Sequence, residues 1–150
     1  MTWLYNGTEL TDDMIPTKAV GFIYLMTQKS TGMKYLGRKM LTQAKTKTVK
    51  GKRKKIRSVS DLKDYWSSSK DVKDIIEQNG KEDFTREILQ FISSKAEMIY
   101  AEEYCLYITN ALLSDGFLNG NIRAKVMRSW FCKNKTDFIQ TIEQLKIKLS

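Results

Sequence analysis

The segment Val20 to Thr27 is apolar on both of its alternating faces, with Phe22, Tyr24 and Met26 on one side and Ile23 and Leu25 on the other. A strand of that kind has no side to show to water, so it belongs in the interior of a sheet covered on both faces. Lys29-Ser30-Thr31-Gly32 supplies turn chemistry, Gly32 being free to take positive φ, and Met33 to Leu41 reads as the returning strand of a hairpin. Phe84 to Phe91 reads as a third strand, with Phe84, Arg86, Ile88 and Gln90 alternating against Thr85, Glu87, Leu89 and Phe91.

Helical signals fill the intervals and make the pattern α+β. A short helical segment is expected near Ser60 to Trp66. Ser69 is placed to cap a helix with Val72, Ile75 and Ile76 on one face, ended by Asn79-Gly80. Ser94-Lys95-Ala96-Glu97 matches a capping box, in which Ser94 accepts from the Glu97 amide and the Glu97 carboxylate reaches back to the Ser94 amide. Along the helix that follows, Met98, Cys105, Leu106, Thr109, Leu112 and Leu113 are expected on one face, and Glu102 projects from the middle of it. A carboxylate on an apolar stripe costs several kcal/mol (roughly) unless it is paired, protonated, metal-bound or set at a cleft rim. A buried ion pair and a catalytic or metal-binding role both satisfy that requirement.

Charge is concentrated. Residues 14 to 60 carry thirteen Lys or Arg and no acid, whereas the rest of the chain is −4, for a net charge of +9. Lys45, Lys47, Lys50, Lys52, Arg53, Lys54, Lys55 and Arg57 occupy eight of thirteen consecutive positions. One-sign charge packed so densely suits a phosphate backbone, although a solvated surface loop has the same composition. The run lacks the apolar face a membrane surface would need. At 150 residues the chain suits one core rather than two. Neither a membrane span nor a signal segment is recognisable, so a cytoplasmic protein is expected, without a membrane partner. Cys105 and Cys132 lack metal-ligand spacing and read as free thiols.

Taken in order, these residues resemble the GIY-YIG endonucleases, in the divergent form common in bacteriophage genomes. The resemblance rests on Gly21-Phe22-Ile23-Tyr24, Tyr35-Leu36-Gly37, Asp64-Tyr65-Trp66-Ser67-Ser68-Ser69, Phe84-Thr85-Arg86-Glu87-Ile88-Leu89, Glu102-Glu103-Tyr104 and Gly116-Phe117-Leu118-Asn119. It implies a small three-stranded antiparallel sheet flanked by helices, spanning residues 19–122 with a basic insertion at 44–57. Residues 1–18 are then an N-terminal extension and 123–150 a C-terminal helical segment.

The resemblance further implies a metal-dependent endonuclease, homing-like or genome-degrading. Hydrolysing a phosphodiester requires a water to lose its proton, a cation to offset phosphoryl charge and stabilisation of the leaving oxygen. Glu102 would hold Mg²⁺ or Mn²⁺, Tyr35 would act as general base or water orienter, Tyr24 would hydrogen-bond nucleophile or phosphate, and Asn119 would brace them. Members usually carry an Arg about ten residues past the second tyrosine, often followed by a His. Here Lys45 falls at that distance and the chain has no His. Arg38, Lys39, Arg53 and Arg57 are the candidate cations, with Lys39 and Arg38 preferred for their nearness to Gly37 and Arg57 next.

Each residue also has a plainer reading, Tyr24 and Tyr35 as core aromatics and Asn119 as a turn residue. The opposing hypothesis is a non-catalytic basic nucleic-acid-binding protein on the same fold. Double-stranded DNA is the expected partner, RNA is an alternative, and the chain is expected as a monomer or homodimer. A last helix is expected from Thr136, with Phe138, Ile139, Ile142 and Leu145 on its packing face.

Overall fold

The computed structural model describes residues 2–41, 45–49, 51–56, 58–122, 125–131, 133 and 135–150. Strand β3 (Gly21–Gln28) is buried on both faces and lies inside a sheet, as its double apolar pattern requires. It pairs antiparallel with β4 (Lys34–Met40) on one side. On its other side runs the antiparallel strand that we label β7 (Phe84–Ile92).

The sheet has five strands rather than the three expected. Beyond β7 lie β1 (Trp3–Tyr5), parallel to it, and β2 (Thr8–Glu9), antiparallel to β1. The order is β2-β1-β7-β3-β4. The cause is legible afterwards in Asn6-Gly7, which take φ of 51° and 80° in the tight turn between β1 and β2. Trp3 is wholly buried and its indole N–H donates to the Leu62 carbonyl at 3.0 Å, which ties the N-terminus to the core.

The pairing of β3 and β7 shifts between Ile23 and Tyr24, leaving Leu89 as the extra residue on β7. Strict alternation fails there. Phe91 joins Phe22, Tyr24 and Ile88 in one hydrophobic layer, while Leu89 and Ile92 join Ile23 and Leu36 in the other.

Helix α1 (Lys70–Asn79) packs Val72 into the first layer, capped by Ser69 and closed at Gly80 with φ 88°. Helix α2 (Lys95–Ile108) and helix α3 (Lys135–Leu149) cover the second layer. At the start of α2 the Ser94 hydroxyl accepts from the Glu97 amide at 3.2 Å as expected, but the Glu97 carboxylate accepts from the Ser93 hydroxyl at 3.2 Å rather than from the Ser94 amide, so only half of the capping box forms. A Cβ at Gly21 would run into Met98 of α2 and the Lys39 carbonyl, so this glycine lets helix and sheet close together.

Three further expectations change. Helix α2 stops at Ile108 because Asn110 turns left-handed at φ 51°, which leaves Leu112 and Leu113 exposed rather than on the buried face. On α3, Phe138 and Leu145 are buried, but Ile139 is half exposed. The expected helix near Ser60 is a single 3-10 turn at Val59–Leu62. No helix among the described residues is long and apolar enough to cross a membrane.

The basic insertion is a two-stranded ribbon rather than a loop. Strands β5 (Lys45–Val49) and β6 (Lys52–Ile56) pair antiparallel in a sheet of their own, turning at Gly51 with φ 77°.

Candidate nuclease site at the β4 edge

Tyr24 and Gly37 are direct partners across the β3–β4 ladder. A Cβ on Gly37 would sit 2.5 Å from the Tyr24 ring and hydroxyl, so the glycine of Tyr35-Leu36-Gly37 makes room for the tyrosine of the other motif. Tyr24 is wholly buried, and the rings of Tyr24 and Tyr35 lie 6.2 Å apart. Tyr35 is half-buried.

The segment 58–69 arches over this face and brings two residues that sequence reasoning did not place in the site. The hydroxyls of Tyr24 and Tyr65 are 3.1 Å apart, and the Tyr24 hydroxyl donates to Ser67 Oγ at 3.2 Å. Burial raises all three phenols, Tyr24, Tyr35 and Tyr65, above the ordinary tyrosine value. For Tyr35 the neighbouring Glu102 adds to the rise, and the hydroxyls of Ser67 and Ser68 oppose it. All three tyrosines therefore hold their protons at neutral pH.

Arg86 holds the arch in place. It is 2% exposed, projecting from β7 into the first hydrophobic layer. Its Nη1 donates to the carbonyls of Tyr65 at 2.8 Å, Lys63 at 3.0 Å and Leu62 at 3.4 Å. Its guanidinium lies 3.8 Å from the Trp66 ring centre and 4.9 Å from that of Trp3. Burial pushes it down to about 10, still charged at neutral pH. The signal was present in the sequence, since an arginine stands between Phe84 and Ile88 on an apolar strand face.

The other candidates surround the edge strand β4. Glu102, on α2, has its side chain 26% exposed and faces Arg38, whose Nε lies 3.8 Å from Oε2. Burial raises the Glu102 carboxyl, Arg38 opposes the rise, and Glu103 adds to it. Lys39 lies on the tyrosine side, its Nζ 4.7 Å from the Tyr65 ring centre. Asn119 grips β4 by its backbone, accepting from the Leu36 amide at 3.0 Å and donating to the Leu36 carbonyl at 2.7 Å. Lys34 pairs with Gly116 and Leu118 beside it, so the segment before Asn119 covers the strand edge. A polar cleft of about 410 Å³ opens next to Tyr35, lined by Ser68, Ser69, Asn119 and Gly120 among others.

Arg57 and Lys50 lie outside the described residues, as does Cys132. Lys45, Lys47, Lys52, Arg53, Lys54 and Lys55 are placed by their backbone in the ribbon, where the register sets Lys47 opposite Lys54 and Thr48 opposite Arg53. The largest of the described cavities, about 810 Å³, is an apolar groove lined by Tyr100, Phe131 and Phe138 and shares none of the residues above.

Glu102 has the Glu103 carboxylate and the phenols of Tyr35 and Tyr65 within electrostatic reach, and no three His, Cys, Asp or Glu cluster among the described residues. That suits a hard divalent ion completed by water and substrate phosphate, and does not suit zinc held by imidazole or thiolate.

Paired strands carry the two tyrosines, with Gly37 beneath the Tyr24 ring and Glu102 on the packed helix, an arrangement of the kind the resemblance to GIY-YIG nucleases implies. Residues 3–122 match the family model described as "Putative endonuclease segE, GIY-YIG domain", and the chain belongs to this family of GIY-YIG endonucleases. Neither a curated protein nor a solved structure matches the chain. Nucleases of this class generally use divalent metal ions.

Proposed function

We propose that this chain is a bacteriophage-encoded endonuclease that hydrolyses DNA phosphodiester bonds with a Mg²⁺ or Mn²⁺ ion, in a homing-like or genome-degrading role. The observation that carries the reading is the shared β4 edge, where the Tyr35 ring lies 6.2 Å from that of Tyr24 on one side and Glu102 faces Arg38 at 3.8 Å on the other, near enough to raise the phenols of Tyr35 and Tyr65. A part-exposed carboxylate at the edge of a tyrosine cluster, with a cation beside it, is a set of groups that packing alone does not require.

In this reading Glu102 holds the ion, which when bound supplies charge compensation for the phosphoryl oxygens and lowers the pKa of nearby water. Tyr35, half-buried beside the polar cleft, hydrogen-bonds the attacking water and orients it for in-line approach. Its raised phenol makes it an orienter in the free protein, and it becomes a base only where added positive charge lowers its pKa. Tyr24 acts through Tyr65 and Ser67 rather than on substrate, because it is wholly buried. Lys39 and Arg38 supply the phosphate cation from the two sides of β4, and Asn119 holds that strand in register. The β5–β6 ribbon binds the duplex backbone away from the reacting phosphate. Residues 19–122 form the catalytic unit with the ribbon as its insertion; β1 and β2 from the N-terminal extension complete its sheet, and α3 from the C-terminal segment packs against it.

Nicking of supercoiled plasmid with Mg²⁺ or Mn²⁺ tests this, comparing the parent chain with Glu102→Gln and Tyr35→Phe. The expected result is metal-dependent cutting that both substitutions reduce by roughly a hundredfold or more, with DNA affinity unchanged. Undiminished cutting by Glu102→Gln overturns the assignment. Equal binding by all three proteins with no cutting in either metal leaves the non-catalytic binder.

A further inference from the structure

We infer that Ser67 is a positioning residue of the cleavage site, its backbone held left-handed so that its hydroxyl accepts from the buried motif tyrosine, Tyr24; this rests on the nuclease reading above. Ser67 has φ 87°. The other non-glycine residues described with positive φ are Asn6 and Asn110, whose amide side chains tolerate that region. Serine has no such aptitude, and glycine would adopt the conformation freely.

The surroundings hold Ser67 in place. Just before it, the Tyr65 carbonyl accepts from Arg86 and the Trp66 ring lies over the same guanidinium. Just after it, Ser69 caps α1. A strained residue persists when both flanks are fixed in this way, and such residues gather at functional sites. Ser67 is 2% exposed, so the hydroxyl serves inside the protein. It accepts from the Tyr24 hydroxyl at 3.2 Å and from the Ser69 amide at 3.0 Å. One atom thereby ties the buried Tyr24 phenol, whose ring lies 6.2 Å from that of Tyr35, to the start of α1.

The consequence is a divergence between stability and activity at this position. Ser67→Gly relieves the backbone and removes the hydroxyl, whereas Ser67→Ala removes the hydroxyl and keeps the strain. Both are made in the full chain and compared with the parent by nicking kinetics on supercoiled plasmid and by denaturant unfolding. We expect both to lower kcat by roughly tenfold or more with KM within about threefold, while the unfolding midpoint of Ser67→Gly stays above that of Ser67→Ala. In a double-mutant cycle, the stability losses of Ser67→Ala and Tyr24→Phe fall short of additive, because both remove the same hydrogen bond. Parental kcat in Ser67→Gly overturns the inference, and so do fully additive losses in the cycle. A parent chain that does not cut sinks the nuclease reading and this role together; a cutting parent with fully active Ser67→Gly sinks this role alone.

Discussion

Gly37 and Tyr24 occupy one another's space, and that single contact accounts for the pairing of the two strand motifs. Gly37→Ala puts a methyl group 2.5 Å from the Tyr24 ring, and the buried phenol has no open side to move toward. The expected loss is about 1–3 kcal/mol by denaturant unfolding, accompanied by reduced cutting. The tyrosines themselves give a second prediction. A phenol raised in the folded state keeps its stabilising neutral form below the unfolded value of about 10 and loses that contribution as pH rises toward the folded value. With Tyr24, Tyr35 and Tyr65 all raised, the native protein should form fewer phenolates near pH 10 than the unfolded chain does at the same pH, the remainder appearing at higher pH or on unfolding. Absorbance near 295 nm reads this directly; seven phenols titrating together in the folded chain would contradict it. Tyr24, Tyr35 and Glu102 were legible as candidates because motif order and a misplaced carboxylate can be seen in the chain. Tyr65 and Ser67 were visible as part of the string Asp64-Tyr65-Trp66-Ser67-Ser68-Ser69 but carried no site role, because nothing local distinguishes them from an ordinary loop tyrosine and serine.

Elements were legible where their signals are short-ranged. Ser69 and Ser94 cap the helices they were expected to cap, and Gly80 ends the first. The end of α2 was missed because the left-handed turn at Asn110 overrides an apolar pattern that continues past it. The strand β4 owes its position to a distant residue, since Asn119 behaves as a substitute strand partner for Leu36. Asn119→Asp keeps the acceptor for the Leu36 amide but sets a carboxylate against the Leu36 carbonyl. We expect a stability loss of roughly 1–3 kcal/mol at neutral pH. The loss should shrink as pH falls and the carboxyl gains a proton to donate, which unfolding curves at two pH values would reveal. A loss independent of pH would exclude that explanation.

At the scale of the whole molecule, positive charge is segregated onto a ribbon that forms its own sheet, apart from the five strands that carry the tyrosines. Binding and cutting should therefore separate. Replacing Lys45, Lys47, Lys52 and Lys54 by Gln is expected to flatten the log-affinity against log-salt slope for duplex DNA by up to about 3–4, at roughly 0.9 for each phosphate no longer neutralised. The unfolding midpoint should change little, and an unchanged slope in a fluorescence-anisotropy titration would remove the ribbon from the binding surface. By itself the sequence determined the alternation of strands and helices, the central place of β3, the helix caps, the family and the location of the charge. These follow from side-chain periodicity, turn chemistry and composition, all of which act within a few residues or simply add. Only the tertiary structure decided that the N-terminus joins the sheet, that the basic segment pairs with itself, that Arg86 and Ser67 hold the arch against Tyr24, and that Asn119 grips β4 at Leu36. Those contacts link residues 21, 43 and 83 positions apart, and which distant groups meet is settled by packing the whole core, not by any local preference.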